Sequence, residues 1–310
     1  MFKVKLLLTA FFITSSLLIL NSCTGALFGD NVPKEIIDIL EDDKNFSTFY
    51  RIHERLGYQR VGGTAFAPTD NAFQEYFDAN GISLSLENMT DDELEVLLLY
   101  HYLDESKTKE QLNLRFNDTQ KMYLYGYSPM ALFMEKDNAG EVRLNRFATI
   151  TEANIESENG ILHQIDQVLK PATSMDLARF EFLDSFVVAM DRVDAATGIY
   201  SIIEGSGPYS IIAPSNEAFV EGLANNGWNS IADVPIDFLG QAMKEQIFNE
   251  DLKFKNESSE SMSSLNGNNV NYSGAYKSVS RFLIYDAKII QFEIQGSNGT
   301  LMITSEVFLF

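Results

Sequence analysis

Thr64-Ala65-Phe66-Ala67-Pro68-Thr69-Asp70-Asn71-Ala72-Phe73 recurs 146 positions later as Ser210-Ile211-Ile212-Ala213-Pro214-Ser215-Asn216-Glu217-Ala218-Phe219. Each copy reads as a strand-to-helix corner. Apolar or small residues form a buried strand and Pro68 or Pro214 ends it. Thr69 or Ser215 then caps a helix running through Phe73 or Phe219. A second match follows in the same order: Ala148, Ile150, Ile155, Asn159, Gly160, Leu162 and Val168 correspond to Ala287, Ile289, Ile294, Asn298, Gly299, Leu301 and Val307, an offset of 139. Alternation predicts a strand, Asn-Gly predicts a tight hairpin turn with positive φ, and Ile161 onwards pairs back. Matches at both ends of the unit argue for tandem copies of one domain of about 140 residues, which a chance echo of one short motif would not produce.

Between the matched segments the pattern is helical. Ile36, Ile37 and Leu40 share one face after Pro33, a second helix is predicted over Phe46–Leu56, and a third over Thr90–Leu103, with Asp91, Asp92 and Glu93 in its first turn. Val234–Phe248 is its counterpart in the second copy. Gly205-Ser206-Gly207-Pro208 reads as a turn before a strand, and the Ser-, Asn- and Glu-rich stretch 256–271 as a loop. Pro171 and the Ala-Thr-Ser after it mark a boundary, giving expected domains over residues 33–172 and 173–310.

These segments resemble the two signature regions of fasciclin (FAS1) domains. Residues 64–73 match the first, and Asn159 to Leu169 match the second, with His163, Asp166 and Val168 in register. Tyr100-His101 resembles the short Tyr-His motif between them. The second copy keeps Pro214, Phe219, Asn298 and Gly299 but has Met302 at the histidine position and contains no histidine. It resembles a diverged member. The resemblance implies an α+β fold of two tandem β-sandwich wedges flanked by helices. It also implies adhesion or extracellular binding, with a protein or glycan as partner; the alternatives are an accessory lipoprotein that captures a ligand or glycan at the surface and a structural spacer in the envelope.

The N-terminus predicts where this happens. Lys3 and Lys5 precede an apolar run from Leu6 to Leu20, the arrangement of a secretion signal over residues 1–22, too short for the roughly 20 residues of a membrane span. Leu20-Asn21-Ser22-Cys23 resembles a bacterial lipobox, so Cys23 is the expected lipidation site and residues 23–32 a tether. With its tandem copies, the chain resembles the fasciclin lipoproteins of Bacteroidota, anchored in the cell envelope, most simply at the outer membrane.

Composition narrows the chemistry. With 44 acidic against 23 basic residues among 310, the net charge of −21 opposes binding to nucleic acid. One cysteine makes no internal disulfide, and with only three histidines no metal site is expected. His53-Glu54 starts like a zinc-protease helix motif but lacks the second histidine one turn on. No nucleophile elbow or phosphate loop is present. His101 and His163 read as neutral, hydrogen-bonded rings at the core. No enzymatic activity and no cofactor are expected. One feature suggests recognition: in Lys121–Tyr127, alternation puts Tyr123, Tyr125 and Tyr127 on one strand face, either covering a helix or neighbouring domain with their hydroxyls in water or forming an exposed aromatic platform for a sugar or protein. Cys23→Ser should release the protein from the detergent phase and abolish labelling by a fatty-acid probe; retention of both would refute the anchor.

Overall fold

A computed structural model describes residues 34–81, 85–120, 129–205, 207–252, 259–273, 278–281 and 285–307. In the N-terminal half, helices α1 (Ile36–Asp42) and α2 (Ser47–Leu56) precede strand β1 (Gly63–Pro68). Then come α3 (Asp70–Asn80), α4 (Asp91–Tyr100), β2 (Tyr102–Leu103), β3 (Arg115–Asp118), β4 (Ala131–Lys136), β5 (Val142–Leu144), β6 (Ala148–Ser157) and β7 (Gly160–Ile165). The C-terminal half runs α5 (Ser174–Phe180), α6 (Asp184–Thr197), α7 (Tyr200–Ile203), β8 (Ser210–Pro214), α8 (Asn216–Asn225), α9 (Ile236–Glu245), β9 (Ile247–Phe248), β10 (Ser259–Ser263), β11 (Asn269–Ser273), β12 (Ser278–Arg281), β13 (Tyr285–Gly296) and β14 (Gly299–Thr304).

Each half holds a seven-stranded sheet, ordered β2-β1-β7-β6-β5-β4-β3 in the first and, read from the corresponding edge, β9-β8-β14-β13-β12-β11-β10 in the second. The two orders are the same. The fold is α+β, built twice on one plan, and Lys34–Phe310 forms a single compact body.

Each sheet bends at one long strand. In β6 the register with β7 slips between Ile150 and Ile155, and Asn154 takes φ +63°. In β13 it slips between Ile289 and Ile294, with Glu293 at φ +42°. Such bulges turn a sheet over on itself. The inner faces enclose one core, including Phe66, Leu132, Met134, Val142, Leu144 and Ile165. Ala65, Ala67 and Leu162, on the opposite face of β1 and β7, pack beneath α1 to α4.

The recurring corner is built alike in both halves. Thr69 Oγ1 accepts from Ala72 N at 3.2 Å and Ser215 Oγ from Ala218 N at 3.1 Å. Thr69 N and Ser215 N donate back to the neighbouring parallel strand, at Ile165 O and Thr304 O. Pro68 and Pro214 end their strands in register with Ile165 and Thr304, and Phe73 and Phe219 are buried in the helix-side cores.

Asn159 fastens three pieces together. Its Oδ1 accepts from Ile36 N, the first residue of α1, at 2.8 Å; its Nδ2 donates to Val61 O at 3.3 Å; its own carbonyl accepts from Gly63 N at 2.9 Å. Asn298 repeats all three: Oδ1 from Ser174 N, the first residue of α5, at 2.9 Å; Nδ2 to Ile203 O at 2.7 Å; carbonyl from Tyr209 N at 2.5 Å. Asp166 Oδ1 accepts from Thr149 N at 2.7 Å across the same hairpin, and Ser305 Oγ plays that part for Lys288 N at 3.2 Å.

Three expectations are corrected. Asn159 and Gly160 do not take positive φ. The turn residues are Glu158 and Asn159, and Gly160 is already the first residue of β7, facing Gly63 in the parallel register. Its lack of a side chain answers a different demand, because a Cβ there would lie 2.1 Å from Gly63 O. The helix predicted to Leu103 ends at Tyr100, and that predicted to Phe248 ends at Glu245. His101 O and Gln246 O are taken by Phe66 N and Ile212 N, each at 2.9 Å, and the next two residues pair with β1 or β8. The stretch read as a loop over 256–271 contains β10 and part of β11, because Met262 and Val270 are buried in the sandwich core while alternate polar residues face out.

The halves meet where the end of α5 lies on β3 and β4. Arg115 donates through Nε to Glu181 Oε1 at 3.2 Å and through Nη2 to Oε2. Phe133 stacks on Phe180 at 5.4 Å, and the Arg146 guanidinium covers the Phe182 ring at 3.8 Å. Ala131 of β4 belongs to the core of the second half.

Gly160→Ala and Gly299→Ala would each drive a Cβ to within 2.1–2.2 Å of a carbonyl oxygen in the neighbouring strand or the residues leading into it. A loss of about 1–3 kcal/mol, or failure to fold, is expected in urea denaturation. Gly240→Ala, in α9 with nothing within 4 Å of the added methyl, should instead be neutral or gain up to ~1 kcal/mol. Equal effects at the three positions would contradict this packing.

Candidate functional site

The histidines are sequestered. His101 Nδ1 donates to Leu97 O at 2.7 Å while Nε2 accepts from Leu169 N at 2.9 Å, so one neutral tautomer satisfies both nitrogens. His163 uses the opposite tautomer: Nε2 donates to Lys107 O at 3.0 Å and Nδ1 accepts from Asn154 N at 3.1 Å, while its ring stacks on Phe66 at 5.6 Å. His53 Nδ1 donates to Tyr58 O at 2.7 Å and its Nε2 accepts from the Tyr102 hydroxyl at 2.9 Å. All three are buried. Burial, the dominant cause, lowers the pKa of His53 and His101 from 6.5 to about 4 and also lowers that of His163. Such rings hold strands and turns together; none is presented to a substrate.

Among the described residues no group of three or more His, Cys, Asp or Glu side chains is arranged to hold a metal. The tyrosine stripe Tyr123, Tyr125 and Tyr127 and the lipidation site Cys23 lie outside the described residues.

A different aromatic concavity lies on the N-terminal half. Ala72, Glu75, Tyr76 and Ala79 form one face of α3. Opposite stand Phe147, in the turn between β5 and β6, and Gln167, Val168 and Lys170, on the segment leaving β7; together they line a groove of about 410 Å³. Two successive positive-φ residues, Asn145 at +47° and Arg146 at +66°, form the turn that presents Phe147. Asn145 is held there by bonds to both backbone groups of Phe133, and its Nδ2 donates to the Tyr100 hydroxyl at 3.0 Å. The Lys170 ammonium sits 5.0 Å from the Tyr76 ring centroid. Periodicity could not bring these residues together, since they come from three separate stretches of chain. The available signal was the internal repeat, in which Tyr76 aligns with Gly222 at the offset already noted.

The model of the Fasciclin domain family matches residues 44–171. Residues 44–171 are a fasciclin domain. Pig transforming growth factor-beta-induced protein ig-h3 is 31% identical over 156 residues, 50% of this chain and 22% of that protein. Protein sll1483 of Synechocystis is 33% identical over 109 residues, 35% of this chain and 54% of its own length. A FAS1 domain pair from the insect cell adhesion molecule Fasciclin I aligns over 86% of this chain and 97% of its own, at 11% identity and a TM-score of 0.48. The chain spans about a fifth of the length of ig-h3. Within the fasciclin domain, the corner, the hairpin asparagine and the buried histidines lie on or next to α2, β1, α3, α4 and β7, and the groove opens beside them. The C-terminal half shares the strand order of this domain.

Because the folded histidines bind protons less readily than the unfolded chain, unfolding takes up protons between about pH 6.5 and the depressed folded values near 4. Their contribution to stability is complete above that window and is lost as pH falls through it. Imidazole NMR resonances of His53 and His101 should remain in the neutral form through neutrality, with midpoints near 4; midpoints at 6.5 or above would contradict the sequestered reading.

Proposed function

We infer that the chain is an extracytoplasmic adhesion protein that interacts with matrix or cell-surface partners through its fasciclin domain. In this reading it is held to the membrane by lipid on Cys23 after removal of residues 1–22. The fasciclin domain over residues 44–171 carries the inference. It is supported by the pattern of exposure: titratable chemistry is turned inward as neutral, paired rings, while aromatic and polar side chains line an open groove. Such a surface binds by complementarity rather than by bond-making. Residues 173–310 act as a second, diverged domain of the same kind, docked on the first through Arg115–Glu181 and the Phe133–Phe180 stack. No described helix is long and apolar enough to cross a membrane.

Cells with and without the gene, and beads bearing the detergent-solubilised chain, can be compared for attachment to surfaces coated with matrix protein or polysaccharide. Deletion should reduce attachment, beads should bind, and binding should survive metal chelation without chemical change of the surface. Turnover of a presented polysaccharide, abolished by one Asp or Glu substitution, would overturn the binding-only reading.

A further inference from the structure

We propose that the groove between α3 and the β5–β6 turn is a binding site for an uncharged sugar unit; this deepens, and rests on, the binding function inferred above.

Its two aromatic side chains stand at the edge of the helix-side core, Tyr76 half-buried against it and Phe147 exposed. The C-terminal half repeats the same strand order, corner, bulge and hairpin latch, yet it has Gly222 at the position that Tyr76 holds in α3. A ring needed for packing would have a bulky counterpart there, as Phe73 has in Phe219. Phe147 is instead 39% exposed, placed at the groove by a turn whose two positive-φ residues are costly for side-chain-bearing positions. Strain that exposes an aromatic ring points to use of that ring.

The polar lining fits hydroxyl groups. The exposed side chains of Glu75 and Gln167 have no hydrogen-bond or ion-pair partner among the described residues, and both border the groove. A carboxylate accepts from hydroxyls, and a carboxamide both donates and accepts. A sugar ring offers that combination of hydroxyls, together with an apolar C–H face suited to aromatic side chains. Ala72 and Ala79 keep the floor shallow, and about 410 Å³ lies within the range of small-ligand sites.

Charge and topology exclude the rivals. A net charge of −21 repels anionic polysaccharide, and the Lys170 ammonium is engaged with the Tyr76 ring. A peptide adding as a strand needs an open sheet edge. The strands beside the groove are both internal, β1 between β2 and β7, and β7 between β1 and β6.

Saturation-transfer NMR on the full chain in detergent tests this, using neutral trisaccharides of glucose, mannose, galactose and N-acetylglucosamine, with a heparin tetrasaccharide as the anionic comparison. At least one neutral trisaccharide should bind. Phe147→Ala and Gln167→Ala should each weaken it by about tenfold or more, with unchanged melting temperature. Ile290→Ala, an exposed site in the other half, should bind like the parent, and Phe147→Tyr should retain binding. Absence of binding by every neutral trisaccharide, binding by heparin alone, or undiminished binding in folded Phe147→Ala and Gln167→Ala would overturn the proposal. The attachment assay separates the two claims: a chain that still attaches to matrix protein but takes up no sugar refutes the groove alone. Loss of attachment with sugar binding intact refutes adhesion and leaves the groove standing.

Discussion

The fold depends on one side chain used the same way twice. Asn159 and Asn298 each join the end of a hairpin, the entrance to a parallel strand and the N-terminus of the first helix of their half. A parallel pair cannot be closed by a short turn. The partners β1 and β7 come from distant parts of the chain, so their register needs a fixed point. Asn159 supplies it, and Gly160 beside it permits the backbones to approach closely enough for the register to continue to Pro68 and Ile165. The first N–H groups of a helix lack partners within the helix. The asparagine Oδ1 answers one of them, so the latch and the helix start are a single interaction.

With that register set, the bulged strands fold each sheet over its own core, and the polar residues inside are met by backbone groups. His101 and His163 bind loops and strands from both sides. The second half meets the same positions differently, with Gln246 in the place of His101 and Met302 in the place of His163. Their role is thus replaceable by another shape-compatible side chain, as expected for packing and not for chemistry.

The corner at Pro68 and Pro214 was legible in the sequence because its cap depends on neighbours close along the chain; the hairpin asparagines, His101 and His163 were singled out by the repeat and its motifs, while the distant partners they bond were not. The bulge went unread, because the stretch passes for an alternating strand, although its trace is there. Apolar positions 148 and 150 are even and 153 and 155 odd, a change of phase that an unbroken strand would not show. Strands β2 and β9 were missed because two-residue strands carry no period and continue the apolar face of a helix. Strands β10 and β11 were missed because their outward positions are Ser, Asn and Glu, which mask the buried Met262, Val270 and Tyr272. The groove was not legible at all from any one segment: its register in space follows from the β1–β7 pairing.

The central claim is that the asparagine side chain, in both halves, holds the helix to the hairpin. Native-state hydrogen exchange reads this directly at the amides of Ile36 and Ser174, which would otherwise be unpaired N–H groups at a helix start. The account predicts protection of both, and selective loss of protection at Ile36 in Asn159→Ala and at Ser174 in Asn298→Ala. Exchange of both amides in the unaltered protein at the rate of an open chain would contradict it.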